Sequence, residues 1–436
     1  MARDRERRGP AEESRAAPAR TGDDGPPDGT TDGGRRGRGM SRRGLFAMTA
    51  LAGGAAVATG GAGVAAAARG ESARGRGEHR IPFDGRHQAG ILAPYAAHGW
   101  FAAFDLEPGA DAARLRSMLR AWTDAARRLT AGRAPSGDDA MATGYGPAGL
   151  TITAGFGASL LRRLRVPVPA ALAPLPAFPR DEIDRARSDG DVGVLFTADD
   201  AIVVAHALRT LTRLARGTAR ARWQMSGFST TDGVVTGQNA TPRNLMGQLD
   251  GTGNPRPGDP GFDSKIFVGD TGPAWMRGGT YLVFRRIRML LDDWDTLPRH
   301  RQEQIVGRRK DTGAPLSGGT EFTPFDLDKQ NPDGSLAIGP SAHVRQASPR
   351  SNEGATILRK GFSYFDGYRA DGTPDAGLLF LAFQADPADG FTRIQQRLAL
   401  ADDLSRFLRH TSSALFAVPR GCGPTGYLGH DLMEAL

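Results

Sequence analysis

The sequence contains a single cysteine, Cys422, among its 436 residues. No disulfide can therefore form within one chain, and cysteine-rich zinc or iron–sulfur sites are excluded. The stability of the folded protein must come from packing of the core rather than from covalent cross-links.

Long apolar runs are also missing. An uncharged stretch at residues 44–68 is rich in glycine and alanine rather than leucine, which makes it a weak membrane span. No later segment is apolar and long enough to cross a bilayer. The formal net charge of +8 is accompanied by many acidic residues, which indicates ordinary solubility rather than a stripe that binds nucleic acid.

The uncharged stretch follows a pair of arginines, Arg42 and Arg43, and it ends in three alanines at 66–68. A polar leader, paired arginines, a mild apolar region and a small-residue exit are typical of a twin-arginine export signal. Adjacent arginines can also occur by chance in an arginine-rich segment. We expect residues 1–68 to be a disordered leader plus this signal, and residues 69–80 to be a linker.

Export by this route implies the twin-arginine translocation machinery as a partner. The expected location is outside the cytoplasmic membrane, either periplasmic or extracellular and associated with the cell envelope. The route carries proteins that are already folded, which suits an enzyme that must take up a cofactor before it crosses the membrane.

Two similar series of elements follow the linker. The patterns predict strands at the end of 92–106 and at 149–157, 189–196, 222–228, 280–291, 361–368, 377–384 and 414–418, and helices at 110–131, 198–216, 291–307 and 391–407. In each half the order is strand, helix, strand, strand, helix, strand, which is that of a ferredoxin-like unit. We therefore predict an α+β fold of two units with antiparallel sheets, residues 81–235 and 236–436.

Three segments of the second half carry polar groups suited to chemistry. Residues 247–251 read Gly-Gln-Leu-Asp-Gly, and the glycines allow the backbone to approach a ligand closely. Asp250 is also consistent with an ordinary turn residue. His343 has no second histidine at metal-binding spacing, so it is either a core residue or a single axial ligand. Arg359 precedes an aromatic strand, where it either points into a cavity or is a solvated charge.

Together these segments resemble one family, the exported bacterial dye-decolourising peroxidases, which are haem enzymes. The resemblance covers residue 80 to the C-terminus and extends to several further short segments: 87–91, 188–191, 307–308, 313–316, 377–380 and 396–398. The family fold has two ferredoxin-like units, with haem b bound between the sheet and the helices of the C-terminal one.

The resemblance implies a role for each residue at the haem site. His343 is similar to the ligand of the haem iron, and Asp250 and Arg359 are similar to the catalytic acid–base residue and arginine on the opposite side. The implied cofactor-binding residues are His343, Arg359, Leu378, Phe380, Gly251 and Arg308. Leu378 and Phe380 resemble the apolar wall of the pocket, and their spacing of two places both on the same side of a strand.

The sequence departs from the family pattern at two places. Lys360 stands where the family commonly has a second arginine, and Gln248-Leu249 stands where Phe followed by Lys or Val is frequent. We expect both changes to tune the pocket rather than abolish it. His343 also needs an acceptor for its other ring nitrogen. Asp402 and Asp403 are candidates, although helix-surface charges are the simpler interpretation of both.

The implied activity is reduction of hydrogen peroxide and oxidation of dyes, phenols or similar donors. A carboxylate without a histidine beside it favours activity below neutral pH. Two alternatives remain open on the same residues. One is an exported haem-handling protein similar to deferrochelatase, which releases iron from haem or oxidises ferrous iron for uptake. The other is a haem-free ferredoxin-like binding module.

Overall fold

A computed structural model describes Gly75 and residues 77–231, 234–235 and 241–436. The predicted leader and signal, residues 1–68, and most of the predicted linker lie outside the described residues. So do most of the residues at the predicted border between the two units, 232–233 and 236–240. In the part of the chain that is described, no helix is long and apolar enough to span a bilayer.

Eight antiparallel strands form the centre of the described structure. They are β1 His98–Leu106, β2 Thr151–Gly157, β3 Val192–Ala198, β4 Ala219–Phe228, β5 Thr280–Met289, β6 Leu358–Tyr368, β7 Pro374–Gln384 and β8 Leu408–Val418. The first four belong to the N-terminal half of the described chain, and the last four belong to the C-terminal half. Hydrogen bonding joins all eight into one closed barrel in the order β1-β3-β2-β8-β5-β7-β6-β4.

Within each half the strands are arranged fourth, first, third, second. This order follows from reading the barrel as β4-β1-β3-β2 joined to β8-β5-β7-β6. Two seams connect the halves. One consists of the pair Phe228↔Ser363, and the other consists of Phe156↔Ala417 and Gly157↔Phe416. The predicted α+β class with two ferredoxin-like units is confirmed, and the two sheets close on each other.

Ten α-helices accompany the strands in the described segments. They are α1 Ala89–Leu92, α2 Ala112–Thr130, α3 Ala158–Arg163, α4 Ala201–Leu214, α5 Phe262–Ile266, α6 Leu291–Asp295, α7 Arg299–Val306, α8 His343–Gln346, α9 Arg393–Ala401 and α10 His430–Met433. Aspartates begin the two longest helices. The Asp111 carboxylate accepts from the Arg114 N–H, and the Asp200 carboxylate accepts from the N–H groups of Ile202 and Val203. These caps satisfy N–H groups that have no partner within the helix.

The barrel interior is filled with aromatic side chains from both halves. Phe101 of β1 stacks on Phe284 of β5 at 4.8 Å between ring centroids, and it lies 5.6 Å from Phe416 of β8. A Cβ at position 193 would come within 2.8 Å of both Phe101 and Phe416. Gly193 therefore permits these rings to meet. Since strand side chains alternate, the intervening residues of β5 and β7 face away from this core.

The structure differs from the predicted elements mainly at their ends. The helix predicted at 291–307 is two helices, α6 and α7, because Pro298 cannot continue a helix from the preceding turn. Strand β6 begins at Leu358, so Arg359 lies within the strand rather than before it. Strand β8 begins at Leu408, six residues earlier than predicted. This extension brings His410 into the sheet.

Candidate functional site

A large cavity lies against the C-terminal half of the barrel. Its empty volume is about 1630 Å³, including the open mouth. One wall is the side of the sheet that faces away from the barrel interior, where Ile287, Leu378 and Phe380 contribute side chains. Residues of α8 and α9 and of the loop between β4 and α5 form other walls.

His343 is the first residue of α8 and lines this cavity. Its Nδ1 lies 2.8 Å from Oδ2 of Asp402, which is buried. The carboxylate accepts, so Nδ1 donates and Nε2 is left with its lone pair. Burial lowers the pKa of His343, but the Asp402 carboxylate outweighs this effect and the pKa ends above its ordinary value. In the neutral ring this bond leaves the lone pair on Nε2, the atom that would bind a metal, and the raised pKa means that a proton competes for the same atom.

Asp402 itself is held in place by the backbone. Its Oδ1 accepts from the Leu404 N–H at 2.9 Å, so its two oxygens have different partners. Asp403 instead accepts from the Ser341 hydroxyl at 2.7 Å. The expectation that Asp402 is a surface charge is wrong, since the residue is only 7% exposed. The sequence placed it within a helix predicted at 391–407, whereas α9 ends at Ala401, just before Asp402.

Asp250 and Arg359 form an ion pair in the same cavity. Arg359 Nη1 lies 3.0 Å from Asp250 Oδ1. Both side chains are about three-quarters buried. Asn244 Nδ2 is 3.3 Å from the second carboxylate oxygen of Asp250. The aspartate lies in a loop where Gly247 and Gly251 both have positive φ, 77° and 129°, which explains the two glycines of this motif.

A network that the sequence did not reveal joins the Asp250 loop to strand β6. The Asn254 side chain accepts from the Arg359 N–H at 3.1 Å and donates to the Arg359 carbonyl at 2.7 Å. The Tyr95 hydroxyl donates to the same carbonyl at 3.1 Å. Burial, and then the charge of Asp250, raises the pKa of Tyr95 to about 12. Tyr95 therefore remains a neutral donor that helps to fix Arg359.

Arg308 lines the cavity and is 9% exposed. Its Nη1 donates to the carbonyl oxygens of Gly313 at 2.7 Å and Glu321 at 2.8 Å. Gly251 lies beside the Tyr95 ring, and a Cβ there would be 3.3 Å from the Tyr95 hydroxyl oxygen. All the catalytic and cofactor-binding residues that the resemblance implies line this one cavity, including Leu378 and Phe380, whereas Lys360 and Asp403 do not line it.

A second histidine, His410, also lines the cavity and was not selected from the sequence. Its Nδ1 is 3.3 Å from Arg285 Nε. Arginine can only donate, so Nδ1 is the acceptor and the proton of the neutral ring is on Nε2. Burial, together with the Arg285 charge, lowers the pKa of His410 well below its ordinary value. A strand assignment reaching back to Leu408 would have placed this residue opposite Ile287.

The residues present fit an iron porphyrin. The cavity has apolar walls and one histidine with a free Nε2, and an ion pair of Asp250 and Arg359 lies in reach of the same space. It also contains an unsatisfied donor, since Gln248 Nε2 is buried without a hydrogen-bond partner among the described residues. A large planar ligand with polar groups at its edge matches this combination.

Comparison with known proteins gives the same answer for both halves of the described chain. Residues 88–229 match the family described as Dyp-type peroxidase, N-terminal. Residues 241–423 match the family described as Dyp-type peroxidase, C-terminal. The two matches lie on the two halves of the barrel.

Individual relatives agree. The dye-decolorizing peroxidase of Thermobifida fusca is 43% identical over 361 residues, covering 80% of this chain and 84% of that protein. A deferrochelatase of Escherichia coli is 34% identical over 372 residues, covering 81% of this chain and 87% of that protein.

Solved structures are also similar. DtpA from Streptomyces lividans, in an oxyferrous/water mixed complex, is 49% identical with a TM-score of 0.81, over 83% of this chain and 100% of that one. A DyP-type peroxidase from Streptomyces coelicolor is also 49% identical with a TM-score of 0.81, over 84% of this chain and 100% of that one. With both halves matched in sequence and fold, the chain belongs to the Dyp-type peroxidase family.

Proposed function

We propose that this chain is a haem peroxidase that reduces hydrogen peroxide with electrons from dyes, phenols or similar donors. The observation that carries the proposal is that two polar pairs share one cavity: His343 with Asp402, and Asp250 with Arg359. Bound haem b supplies an iron that binds peroxide and exchanges electrons with the donor.

In this proposal His343 is the protein ligand of the iron through Nε2. Leu378 and Phe380 form the apolar wall beside the iron and exclude water from it. Arg308 pairs with a carboxylate at the edge of the haem by a charge-assisted hydrogen bond. Gly251 has no side chain, so the backbone next to Asp250 leaves room for the haem to approach.

In this proposal Asp250 transfers a proton, and Arg359 stabilises negative charge. An Asp250 oxygen accepts a proton from hydrogen peroxide and returns it to the oxygen that departs as water. The Arg359 guanidinium holds Asp250 in position and stabilises negative charge that develops on the departing oxygen. Asn254 and Tyr95 fix the Arg359 backbone, so the guanidinium needs little reorganisation.

The direct test is the absorption spectrum of the purified protein beside that of His343→Ala, followed by peroxide-dependent dye oxidation. Wild type should show an intense Soret band, which His343→Ala should lose or shift. Arg359→Leu should reduce kcat/KM for peroxide about 100- to 1,000-fold. Arg256→Leu, at an exposed arginine of the neighbouring loop, is the matched control and should change it less than about twofold. Colourless wild type would refute the proposal, and so would full activity in Arg359→Leu.

A second candidate function rests on the deferrochelatase relatives at 34% identity. We infer that the same cavity, if it serves haem handling, would release iron and leave the porphyrin intact. Incubation of the protein with haem, followed by fluorescence of free protoporphyrin, distinguishes the two functions. A peroxidase alone yields no free porphyrin beyond that of a protein-free control.

We also propose export by the twin-arginine route, on the strength of Arg42, Arg43 and the uncharged stretch after them. Changing both arginines to lysine should retain the protein in the cytoplasm, as measured by cell fractionation. We further propose residues 81–235 and 236–436 as the two domains. The family matches at 88–229 and 241–423 support this division.

A further inference from the structure

A single carboxylate joins the two ends of the loop that carries Asp250. Glu321 is 4% exposed, and its Oε1 accepts from two hydroxyl groups. One belongs to Thr252, at 2.8 Å, and the other belongs to Thr241. Asp250 lies between these threonines in the chain, and we call residues 241–252 the Asp250 loop. One oxygen atom of Glu321 therefore holds both ends of the Asp250 loop.

Hydrogen bonds within the Asp250 loop connect its ends to the Asp250 carboxylate. The Asp250 N–H donates to the Pro242 carbonyl at 2.9 Å, and the Asn244 N–H donates to the Gln248 carbonyl at 2.9 Å. The Asn244 side chain lies 3.3 Å from the Asp250 carboxylate. A shift of either end would therefore move this carboxylate relative to its ion-pair partner, Arg359.

Glu321 is itself held from outside the Asp250 loop. Arg308 Nη1 donates to the Glu321 carbonyl at 2.8 Å and to the Gly313 carbonyl at 2.7 Å. The Glu321 stem lies against Gly313, where a Cβ would be 3.1 Å from Glu321 Cγ. Burial lowers the pKa of Arg308, and the Glu321 charge opposes this effect. Contacts with Arg308 and Gly313 thus fix the side chain that the two threonines bind.

The two buried glutamates of this region have different partners. Oε2 of Glu321 is buried without a hydrogen-bond partner among the described residues, so the Glu321 carboxylate binds the Asp250 loop through Oε1. Glu303 is 5% exposed. It accepts from the Lys310 N–H at 2.9 Å and pairs with Arg299 at 3.0 Å. Within the described part of the chain, no hydrogen bond or ion pair joins the Glu303 carboxylate to the Asp250 loop, so Glu303 is a matched control for Glu321.

We propose that Glu321 is a positioning residue for the reaction with hydrogen peroxide, and that it acts by holding the Asp250 loop in place. Glu321 does not line the cavity that contains Asp250, so it acts through Asp250 rather than on peroxide. A group that exchanges a proton must lie within hydrogen-bond reach of it, and a displacement of about 1 Å costs about 100-fold in rate. This inference rests on the proposed function, since it concerns the proton that Asp250 accepts.

The first test is the rate constant for the reaction of the full-length holoprotein with peroxide, followed in stopped flow by the change of the Soret band. Glu321→Leu removes the acceptor and should lower this rate constant about 10- to 100-fold, while kcat/KM for the dye at saturating peroxide stays within about twofold. Glu321→Gln keeps a carbonyl oxygen but removes the charge near Arg308. It should stay within about threefold of wild type, which separates the hydrogen bonds from the charge.

The second test is a double-mutant cycle with Asp250. If Glu321 acts through Asp250, Glu321→Leu should lower the peroxide rate constant less than about twofold further when Asp250→Asn is already present. A general loss of structure would lower it by the same factor in both backgrounds. Thr241→Val with Thr252→Val removes the two donors and should behave like Glu321→Leu, so it decides the question if circular dichroism shows Glu321→Leu to be misfolded. The control Glu303→Leu should stay within about twofold.

The third test needs neither haem nor turnover. In the haem-free chain, the amide hydrogens of the Asp250 loop should exchange with deuterium about tenfold faster in Glu321→Leu than in wild type, because the closure of the loop is weakened. Mass spectrometry of peptides that cover residues 241–252 measures this. Glu303→Leu should match wild type in the same peptides.

The outcomes separate this inference from the proposed function. An unchanged peroxide rate constant in Glu321→Leu overturns the inference, and so does an equal loss in Glu321→Gln or an equal factor in the Asp250→Asn background. Unchanged exchange in the Asp250 loop also overturns it. In each case the Soret band and peroxidase activity of the wild type still support the proposed function. A wild-type holoprotein that does not react with peroxide refutes both.

Discussion

Two histidines line the same cavity, and their partners give them opposite properties. His343 Nδ1 donates to a carboxylate, Asp402, whereas His410 Nδ1 accepts from a guanidinium, Arg285. The first arrangement leaves a lone pair on Nε2, and the second leaves a hydrogen there. The pKa of His343 is raised and that of His410 is lowered. The hydrogen-bond partner of Nδ1 therefore decides whether Nε2 of the neutral ring has a lone pair for a metal.

The largest expected difference between the two histidines is in haem binding. His343→Ala should abolish the Soret band of the native protein and reduce peroxidase activity at least about 100-fold, because it removes the proposed ligand. His410→Ala should keep the band and stay within about threefold of wild type. Absorption spectra and steady-state rates of the two variants check this. Equal losses in both would show that the hydrogen-bond partners do not distinguish the rings.

The next largest effect is on the free energy of unfolding and concerns Arg285, the partner of His410. Arg285 is 1% exposed and pairs with Asp181, and it donates to Ser413 as well as His410. Arg285→Met should destabilise the protein by about 3–5 kcal/mol, since it leaves a mostly buried carboxylate without its partner. Urea unfolding of the haem-free protein measures this.

The double variant Arg285→Met/Asp181→Leu is the control for that experiment, and it should recover part of the stability. No recovery would mean that the loss comes from packing against Phe178, which lies 5.4 Å from the guanidinium, rather than from the charge.

A smaller effect is expected from the partner of His343. Asp402→Asn should weaken haem retention or activity about 10- to 100-fold, because a neutral amide supports the basicity of the ring less well than a carboxylate. Haem transfer to apomyoglobin measures retention. The control is Asp403→Asn, which changes the neighbouring acid bonded to Ser341 and should stay within about twofold. If Asp403→Asn had the larger effect, Asp402 would not be the relevant partner.

The smallest effect is on pH dependence, and its sign differs between the two rings. In the haem-free chain the raised pKa of His343 gives stability that is complete below the unfolded value of about 6.5 and is lost as pH rises through the folded value. The lowered pKa of His410 does the reverse, so its contribution is lost as pH falls below about 6.5. Urea unfolding between pH 5 and 8 measures this. His343→Gln should remove a contribution to the free energy of unfolding that falls as pH rises, and His410→Gln should remove one that increases as pH rises. Parallel curves would contradict this.

The sequence was sufficient for the fold and for the main residues of the cavity. The spacing of two between Leu378 and Phe380 predicted a shared face, because strand geometry makes alternation a local property. It was not sufficient for contacts that depend on distant segments. Asp402 pairs with a residue 59 positions away and Asn254 with one 105 positions away. His410 was overlooked because the strand that carries it was predicted too short.

The closure of the two sheets into one barrel has a consequence for how this protein can aggregate. A four-stranded sheet on its own presents two unpaired edges, which readily recruit strands from other molecules. In this protein the edge strands of each half pair with edge strands of the other half. At one seam the pairing consists of the single residue pair Phe228↔Ser363. Separation of the halves would therefore expose four strand edges at once. We expect the destabilised protein to aggregate as polymers in which neighbouring molecules exchange halves.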